Sequence, residues 1–432
     1  MLKTLAKSLM PASAIKAIQT ARTDRQLEML HPAWIAAREA LMPVQPLEGA
    51  GRILLVPSDP VQIAGSCGDE AMVMAVKRMA EESAAGTELH VLVWNAAANA
   101  AAERLGLIPV PIWTEGDFIG AIIRELKARR FRAAVGMGAD MIDGIYGALE
   151  PAKQLVALDM ATRLGVPSAV IGCSFSEHID LRLKRYFDAL HSQMRILARD
   201  AVSLERVRAF TVATSELVAD SAFMLQPATV DSAVEAWIAS RRAEGKKVIG
   251  INVHPMLLPR YDEQLEELLI SPTFAALTRA AAQRKVAFLL IPHDRRKLAG
   301  DASVLEPLHA RLETVLGKDV MLLEGFRSAA ELKATAGRLD GVVTGRMHLA
   351  IGSLGSGVPV MCIVYQGKFE GLMTHFNLPA DVLISVPELG NTDVAATRIL
   401  SFIDRSEALK EQVAARKPLV LEHSRRNFAH FG

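Results

Sequence analysis

Residues 340–371, DGVVTGRMHLAIGSLGSGVPVMCIVYQGKFEG, constrain the fold of this 432-residue chain more than any other stretch. Two short apolar runs, Gly341–Thr344 and Val360–Val364, have the length and β-branched content of buried strands. Between them, residues 346–354 place apolar side chains at helical spacing, with a glycine before them and a glycine- and proline-containing turn after them. A strand–helix–strand unit of this kind predicts parallel strands joined by a right-handed crossover.

Arg346 and His348 stand where the first of these strands gives way to the helix. Ligands of open parallel sheets bind at the carboxyl ends of strands, and the N-terminus of a helix attracts anions. Arginine holds phosphate or carboxylate through its planar guanidinium, and histidine exchanges protons near neutral pH. The pair therefore predicts a site for an anionic substrate. The alternative is a surface ion pair and a helix cap.

Three further basic side chains follow predicted strands: His254 after residues 247–253, His293 after residues 286–291, and Lys368 after Val360–Val364. If these strands are neighbours, their ends bring all three side chains to the edge that carries Arg346. Structural histidines and a solvated lysine are the alternatives. Asp294 and Asp301 are expected to be ion-pair partners or caps. No carboxylate–histidine spacing specifies a metal site, so no metal is predicted.

The N-terminal half offers acidic residues at two strand ends. Gly68, Asp69 and Glu70 open a helix, where carboxylates suit capping and the helix dipole. A carboxylate that faces a cleft could instead accept hydrogen bonds from sugar hydroxyls or act as a base. This loop is not a phosphate loop, because it lacks the lysine after glycine. The second strand end, GMGADMIDGIYG at residues 136–147, contributes Asp140 and Asp143, for which a turn or cap role and a substrate contact are both open.

Strands alternate with helices along most of the chain, which predicts an α/β fold with two Rossmann-like, doubly wound domains facing a cleft. The predicted last strand of the first sheet is residues 210–213. Pro109 and Pro111 confine the strand at residues 107–113 to a sheet edge. The predicted units are a helical arm (1–48), an N-terminal domain (49–240), a C-terminal domain (247–390) and closing helices at 392–404 and 406–415 (391–432). The arm is expected to pack on the body or on another subunit, with binding to a membrane surface as the alternative.

Composition excludes several classes of protein. Lysine and arginine number 49 and aspartate and glutamate 48, so the net charge of +1 gives no field for nucleic acid. The three cysteines lie far apart in apolar surroundings, which predicts buried reduced thiols and a cytoplasmic location. No apolar run reaches the roughly 18 residues of a membrane span, and the N-terminus lacks the pattern of a signal peptide.

Five motifs in this order over residues 50–380 resemble those of the polysaccharide pyruvyl transferase family. The most specific combines arginine-x-histidine, glycine-x-proline and tyrosine-x-x-lysine-x-x-glycine. The motifs are Gly68-Asp69-Glu70; Gly136-Met137-Gly138 with Asp143; Arg199-Asp200 with Ser203; Asp220, Ala222, Phe223 and Leu225; and Arg346, His348, Gly357, Pro359, Tyr365, Lys368 and Gly371.

The resemblance implies a fold similar to that of GT-B glycosyltransferases, with the acceptor on the N-terminal side and the donor on the C-terminal side. It implies phosphoenolpyruvate as donor, without a cofactor, and a sugar of an exopolysaccharide or its lipid-linked oligosaccharide precursor as acceptor. The product would be a pyruvate ketal on two sugar hydroxyls, with phosphate released. The enzyme would be cytoplasmic, and a peripheral contact with the inner face of the membrane stays open.

The resemblance also implies roles for particular residues. Arg346 and Lys368 are expected to hold the anionic donor, His348 to act as general acid or base or to bind phosphate, and Asp69 to share in catalysis. The remaining predicted substrate-binding residues are His254, His293, Arg260, Gly68, Glu70, Asp143 and Gly345.

The chain departs from the family at one position. Where the family commonly has serine-x-arginine, this sequence has Asn252-Val253-His254, so a titratable side chain replaces a permanent cation. Arg260 is the candidate to compensate. Two alternatives to a pyruvyl transferase remain: a nucleotide-sugar glycosyltransferase of the same architecture and a non-catalytic relative in polysaccharide assembly.

Overall fold

A computed structural model describes residues 12–41, 51–259, 264–294, 300–325, 327–364 and 369–431. The predicted alternation is confirmed, because the strands form two separate sheets in which each paired strand runs parallel to its neighbour. Each sheet carries helices on its faces, which is the doubly wound arrangement predicted from the sequence.

The first sheet has seven strands in the order β3-β2-β1-β4-β5-β6-β7. Chain order reverses between β1 and β4, which creates a crevice at their carboxyl ends. The strands are β1 Arg52–Val56, β2 Glu88–Leu92, β3 Ile108–Val110, β4 Ala133–Met137, β5 Ser168–Cys173, β6 Arg195–Ala198 and β7 Thr214–Leu217. The helices are α1 Ala12–Glu39, α2 Cys67–Ser83, α3 Ala96–Arg104, α4 Phe118–Arg129, α5 Leu149–Arg163, α6 Lys184–Asp188 and α7 Ala201–Phe210.

The second sheet has six strands in the order β10-β9-β8-β11-β12-β13, with its own reversal between β8 and β11. The strands are β8 Lys247–Asn252, β9 Val286–Leu290, β10 Val320–Leu322, β11 Gly341–Thr344, β12 Val360–Val364 and β13 Leu383–Ser385. The helices are α8 Ser232–Ala243, α9 Ser271–Gln283, α10 Ala302–Leu316, α11 Ala329–Ala336, α12 Met347–Gly355, α13 Phe369–Phe376, α14 Val386–Gly390 and α15 Thr392–Arg425.

Two expectations about individual elements were wrong, and one was confirmed. β3, with Pro109, lies at the sheet edge as predicted. The last strand is not residues 210–213, because Phe210 ends α7 and packs its ring 5.2 Å from that of Phe187. The two predicted closing helices are one continuous helix, α15. Helix hydrogen bonding continues through Ser406, whose hydroxyl donates to the Ile403 carbonyl.

The chain passes between the two domains twice. Helix α8 already packs on the second sheet, earlier than the predicted division near residues 240–247, with the Trp237 indole donating to the Lys318 carbonyl over 3.0 Å. At the other end, α15 and the residues after it return to the first domain. There the Asn427 amide donates to the Ala219 carbonyl over 2.7 Å, and the Ser424 hydroxyl donates to the Asp220 carbonyl over 2.7 Å.

The described part of the N-terminal arm packs on the first domain. Trp34 of α1 is fully buried, stacks on Tyr186 with ring centroids 5.7 Å apart, and donates to a carboxylate oxygen of Asp159 over 2.9 Å. Among the described helices, none has the length and apolar character needed to cross a membrane. All three cysteines are buried and none forms a disulfide.

We expect Trp34→Ala to lower the free energy of unfolding by about 3–5 kcal/mol, because a large stacked side chain leaves a cavity and the Asp159 carboxylate loses a donor. Urea denaturation followed by circular dichroism measures the change. Met29→Ala in the same helix is the control, since Met29 is 62% exposed. If Trp34→Ala lowered the free energy of unfolding no more than Met29→Ala does, the packing of Trp34 on Tyr186 would contribute nothing to stability.

Candidate active site

A cavity of about 340 Å³ lies between the domains, at the carboxyl ends of both sheets. The first domain contributes hydroxyls and carboxylates together with one arginine, and the second contributes histidines, an arginine and a carboxylate. The polar and charged lining residues are Ser58, Asp59, Ser66, Asp69, Asp140, Tyr146 and Arg199 from the first domain and His293, Asp294, Arg346 and His348 from the second. The predicted cleft therefore brings together Asp69, His293, Arg346 and His348.

The strands that precede the predicted basic residues are neighbours in the sheet. The order β9-β8-β11-β12 places the ends that carry His293, His254 and Arg346 side by side. Lys368 and Arg260 lie outside the described residues, so their predicted roles stay predictions.

Arg346 is held by two buried carboxylates. Its Nε and Nη2 atoms donate to Asp301 Oδ1 over 3.1 and 2.5 Å, and its Nη1 atom lies 3.2 Å from Asp294 Oδ2. These contacts confirm the expected pairing role of both aspartates. Two carboxylates more than offset one guanidinium, so Arg346 offers a fixed, oriented cation rather than surplus positive charge.

The Asp301 carboxylate also ties the neighbouring strand ends together. Its Oδ2 atom accepts from the Asn252 amide over 2.6 Å and from the backbone N–H of His293 over 2.8 Å. Asn252 in turn accepts from the Thr344 hydroxyl over 3.1 Å, and that hydroxyl accepts from the backbone N–H of Arg346 over 2.9 Å. One buried acid thus fixes the ends of β8, β9 and β11 relative to one another.

His254 and His293 are both buried, and burial lowers the pKa of each imidazole to about 3. Both rings are therefore neutral near pH 7. His254 lies beneath Gly345, where a Cβ atom would come within 2.7 Å of the His254 Nε2 atom, so residue 345 must be glycine. His254 does not line the cavity, whereas His293 does. The structure shows that His254 does not supply the cation that the family carries at this point.

His348 crosses the boundary between the domains. Its Nδ1 atom would lie only 2.4 Å from a Cβ atom at position 68, which explains the glycine at the second position of α2. Its Nε2 atom lies 3.9 Å from Asp220 Oδ2 of the first domain. Asp220 Oδ2 also accepts from Arg199 Nη1 over 2.9 Å. The imidazole is thus placed between the first turn of α2 and a buried carboxylate.

Asp69 faces the same cavity from the first turn of α2. Its Oδ2 atom accepts from the Ser66 hydroxyl over 2.7 Å and from the Ser66 backbone N–H over 3.3 Å, which completes a capping box. Burial raises the pKa of the Asp69 carboxyl above its ordinary value, against the opposing effects of the Ser66 hydrogen bond and of His348. A carboxyl group in this setting keeps its proton more readily than an exposed one.

Two predicted substrate-binding residues are engaged elsewhere. Glu70 accepts from the backbone N–H of Ala329 over 3.2 Å and so links α2 to the start of α11. Asp143 accepts from the backbone N–H groups of Ser176 over 2.8 Å and Ile145 over 3.1 Å. Both side chains are buried and neither lines the cavity. These contacts account for the two carboxylates without a substrate.

Of the cavity wall that the first domain contributes, sequence reasoning named Asp69 and Asp140 but missed Ser58, Asp59 and Tyr146. Ser58 and Asp59 follow β1, and Asp140 and Tyr146 follow β4, so both groups lie at the point where the strand order reverses. The signal was present as the SDP turn after the first strand, but the order of the strands was needed to interpret it. In the described part of the chain, no three His, Cys, Asp or Glu side chains are arranged to hold a metal ion.

The family model for polysaccharide pyruvyl transferases matches residues 112–367. The chain belongs to this family. The resemblance drawn from the motifs is thereby confirmed, and the matched residues include Arg346 and His348. The amylovoran biosynthesis protein AmsJ of Erwinia amylovora is 23% identical over 303 residues, which is 67% of this chain and 69% of that protein.

Solved structures similar to this pyruvyl transferase family member share its fold at low sequence identity. The UDP-GlcNAc 2-epimerase from Neisseria meningitidis bound to UDP-GlcNAc is 10% identical, with a TM-score of 0.54 over 88% of this chain and 99% of that one. The S. aureus MnaA–UDP structure is 12% identical, with a TM-score of 0.54 over 84% and 91% of the two chains. At these identities the similarity shows the two-domain GT-B-like fold, as predicted.

We expect His254 to make the protein less stable in acid. The folded-state pKa of about 3 lies below the unfolded value, so the unfolded state binds a proton first and stability is lost as pH falls below about 6.5. Between pH 7 and pH 5 this residue should account for about 2 kcal/mol of the loss.

Urea denaturation of the wild type and of His254→Gln at both pH values measures this contribution. The variant should lose about 2 kcal/mol less than the wild type on acidification. His178→Gln is the control, because His178 is exposed. An unchanged pH dependence in His254→Gln would show that the imidazole binds a proton equally readily in the folded and unfolded states.

Proposed function

We propose that this chain transfers a pyruvyl group from phosphoenolpyruvate to two hydroxyls of a sugar in an exopolysaccharide or its lipid-linked precursor. The observation that carries the proposal is the pair His348 and Asp69, which line one interdomain cavity from the first turns of two facing helices. Membership in the polysaccharide pyruvyl transferase family and the similarity to an amylovoran biosynthesis protein support it.

The cavity suits a donor that carries both a carboxylate and a phosphate. Helices α2 and α12 begin at its wall, and the N-terminal N–H groups of a helix stabilise negative charge. Arg346 and Arg199 present fixed guanidinium groups whose charges are already paired with aspartates. A dianionic donor therefore requires additional positive charge. Lys368 and Arg260 are the residues that we propose supply it.

Ketal formation requires the donor methylene carbon to gain a proton and the two sugar hydroxyls to lose one each. We assign the methylene proton to the Asp69 carboxyl, because burial favours its protonated form. The first hydroxyl then forms a bond to C2 of the donor as His348 accepts its proton. Cleavage of the bond between C2 and the phosphate oxygen releases phosphate, and the second hydroxyl closes the ketal. His348 passes the proton of the first hydroxyl to the departing phosphate. The proton of the second hydroxyl returns to the Asp69 carboxylate, which restores both side chains.

His348→Asn should lower the sugar-dependent release of phosphate from phosphoenolpyruvate by about 10²–10⁴-fold, because the amide cannot exchange protons near neutral pH. A coupled phosphate assay with graded acceptor concentrations measures the rate. His178→Asn is the control, since that histidine is exposed and does not line the cavity. A His348→Asn rate within threefold of the wild type would remove His348 from the chemistry.

Asp69→Asn should lower kcat by about 10²-fold, because the amide has no proton to donate to the methylene carbon. Asp69 also closes the capping box of α2, so stability has to be separated from catalysis. Glu388→Gln changes the equivalent capping residue of α14 away from the cavity and should cost a similar, small amount of stability. A kcat loss no larger than that of Glu388→Gln would show that Asp69 only caps its helix.

The donor can be tested directly against a nucleotide sugar. Phosphoenolpyruvate should raise the melting temperature of the full chain in a concentration-dependent way, since ligands that bind only the folded state stabilise it. The same measurement with UDP-glucose and UDP is the comparison. Stabilisation by the nucleotides and none by phosphoenolpyruvate would replace the proposal with a nucleotide-sugar glycosyltransferase.

A further inference from the structure

Exposed apolar side chains are concentrated at one edge of the first sheet, the edge formed by the carboxyl ends of its strands. Eleven large hydrophobic residues are exposed in the described part of the chain, and five of them lie in the segments that follow β1, β2, β4 and β5. These four strands are consecutive neighbours in the order β2-β1-β4-β5. The five residues are Val61, Trp94, Ile145, Tyr146 and Leu181.

This edge is continuous with the cavity. Tyr146 lines the cavity and is 51% exposed, and its hydroxyl lies 3.5 Å from Asp140 Oδ2. On the other side of the strand reversal, Asp59 lines the cavity, and the next residue, Pro60, accepts from the backbone N–H of Trp94 over 2.9 Å. The ends of β2 and β4 flank β1 and are therefore about 10 Å apart, roughly two strand spacings. Tyr146, Asp59 and Trp94 thus follow three adjacent strands, and the first two of these residues line the cavity.

The loops that carry this surface are held in place. The Asp143 carboxylate fastens the loop of Tyr146 by accepting from two backbone N–H groups. Ala139, which begins that loop, has a φ of 44°, a conformation that a residue with a Cβ atom adopts only when its surroundings impose it. On the β1 side, Asp59 Oδ1 accepts from the backbone N–H of Val61 over 2.8 Å. Side-chain carboxylates thus hold the backbone of both loops.

The chemistry of this surface fits a carbohydrate. The carboxylates of Asp59 and Asp140 accept hydrogen bonds from hydroxyl groups, and an exposed aromatic ring can cover the apolar face of a sugar. Trp34 and Trp113 are fully buried, whereas Trp94 is 37% exposed and its backbone is hydrogen bonded to the residue after Asp59. The flat ring of Trp94 lies on the loop next to the one that carries Asp59. When one sugar occupies the cavity, this ring would contact the neighbouring sugar of the same chain.

We propose that Asp59, Asp140 and Tyr146 hold the acceptor sugar in the cavity and that Trp94 stacks on the adjacent sugar of the same chain. The acceptor class is then an oligosaccharide of two or more sugars, and not a single sugar. The inference depends on the proposed function for the identity of the reaction, but binding at Trp94 requires no donor.

A membrane surface is the competing occupant of an edge with exposed apolar side chains. On the same segments Glu177 and Asp180 are paired with Arg206 and Arg182, whereas Asp59 and Asp140 add negative charge to the cavity wall. The negative surface potential of the cytoplasmic leaflet would repel them. The two carboxylates at the cavity therefore favour sugar hydroxyls over an anionic membrane, and the experiment includes vesicles.

Tryptophan fluorescence of the full chain tests the binding directly. The probes are oligosaccharides of graded length, prepared by acid hydrolysis that also removes pyruvate, from the polysaccharide of the cells that produce this protein. Fragments of two or more sugars should shift the emission to shorter wavelength, and single sugars should not. The shift should disappear in Trp94→Phe and persist in Trp237→Phe, because Trp237 lies on α8 in the second domain.

Three results would overturn the proposal: no shift with any fragment, a shift that persists in Trp94→Phe, or a shift caused instead by phosphatidylcholine–phosphatidylglycerol vesicles. Because no phosphoenolpyruvate is present, the fluorescence result is independent of pyruvyl transfer. Binding with no phosphate release under any condition would contradict the proposed function and leave the oligosaccharide site in place.

Kinetics give a second readout once phosphate release is measured. Trp94→Ala should lower the ratio of kcat/KM for a tetrasaccharide to that for a single sugar by about tenfold, through KM. Val212→Ala is the control, because Val212 is 70% exposed and lies between α7 and β7, outside the cavity. An unchanged ratio in Trp94→Ala would place the adjacent sugar elsewhere.

Discussion

The buried carboxylate of Asp301 is the interaction on which the catalytic half of the second domain depends. A buried anion is costly unless it is paired and hydrogen bonded, and Asp301 meets this requirement with Arg346, Asn252 and the backbone N–H of His293. These partners come from three different strand ends. The partners that the Asp301 carboxylate needs therefore fix the start of α12. Because His348 follows Arg346 by two residues, the same contacts also orient His348.

The second constraint is the close approach of the two domains. A side chain at position 68 would overlap the His348 ring, and a Cβ atom at position 371 would come within 2.5 Å of the Asp200 Cβ atom. Glycine at both positions lets helix termini of opposite domains meet. The end of α15 and the residues after it bind the segment that contains Asp220. Asp220, which lies beside His348, is thereby linked to a helix that follows the second sheet in the chain. The cavity is thus a product of both sheets.

The two walls of the cavity differ in charge. The first domain presents Asp59, Asp69 and Asp140 together with a single arginine. The second domain presents two histidines and an arginine that is paired with two aspartates. The first wall suits hydroxyl groups of a sugar, and the second suits an oriented anion once further cations join it. This division agrees with an acceptor on the first domain and a donor on the second, which is how we propose the family chemistry is arranged here.

The sequence by itself determined the alternation of strands and helices, because the spacing of apolar residues records which face of each element is buried. It also determined that basic residues follow several strands of the second domain, and its motifs indicated the family.

Only the tertiary structure decided which strands are neighbours, and hence that His293, His254 and Arg346 follow neighbouring strand ends. It also decided that His254 is neutral and buried, and that Glu70 and Asp143 bind backbone N–H groups. It decided as well that Ser58, Asp59, Asp140 and Tyr146 form a wall of the cavity. The charge of a side chain and the identity of its partner depend on burial and on groups far away in the chain, and local sequence patterns carry no record of either.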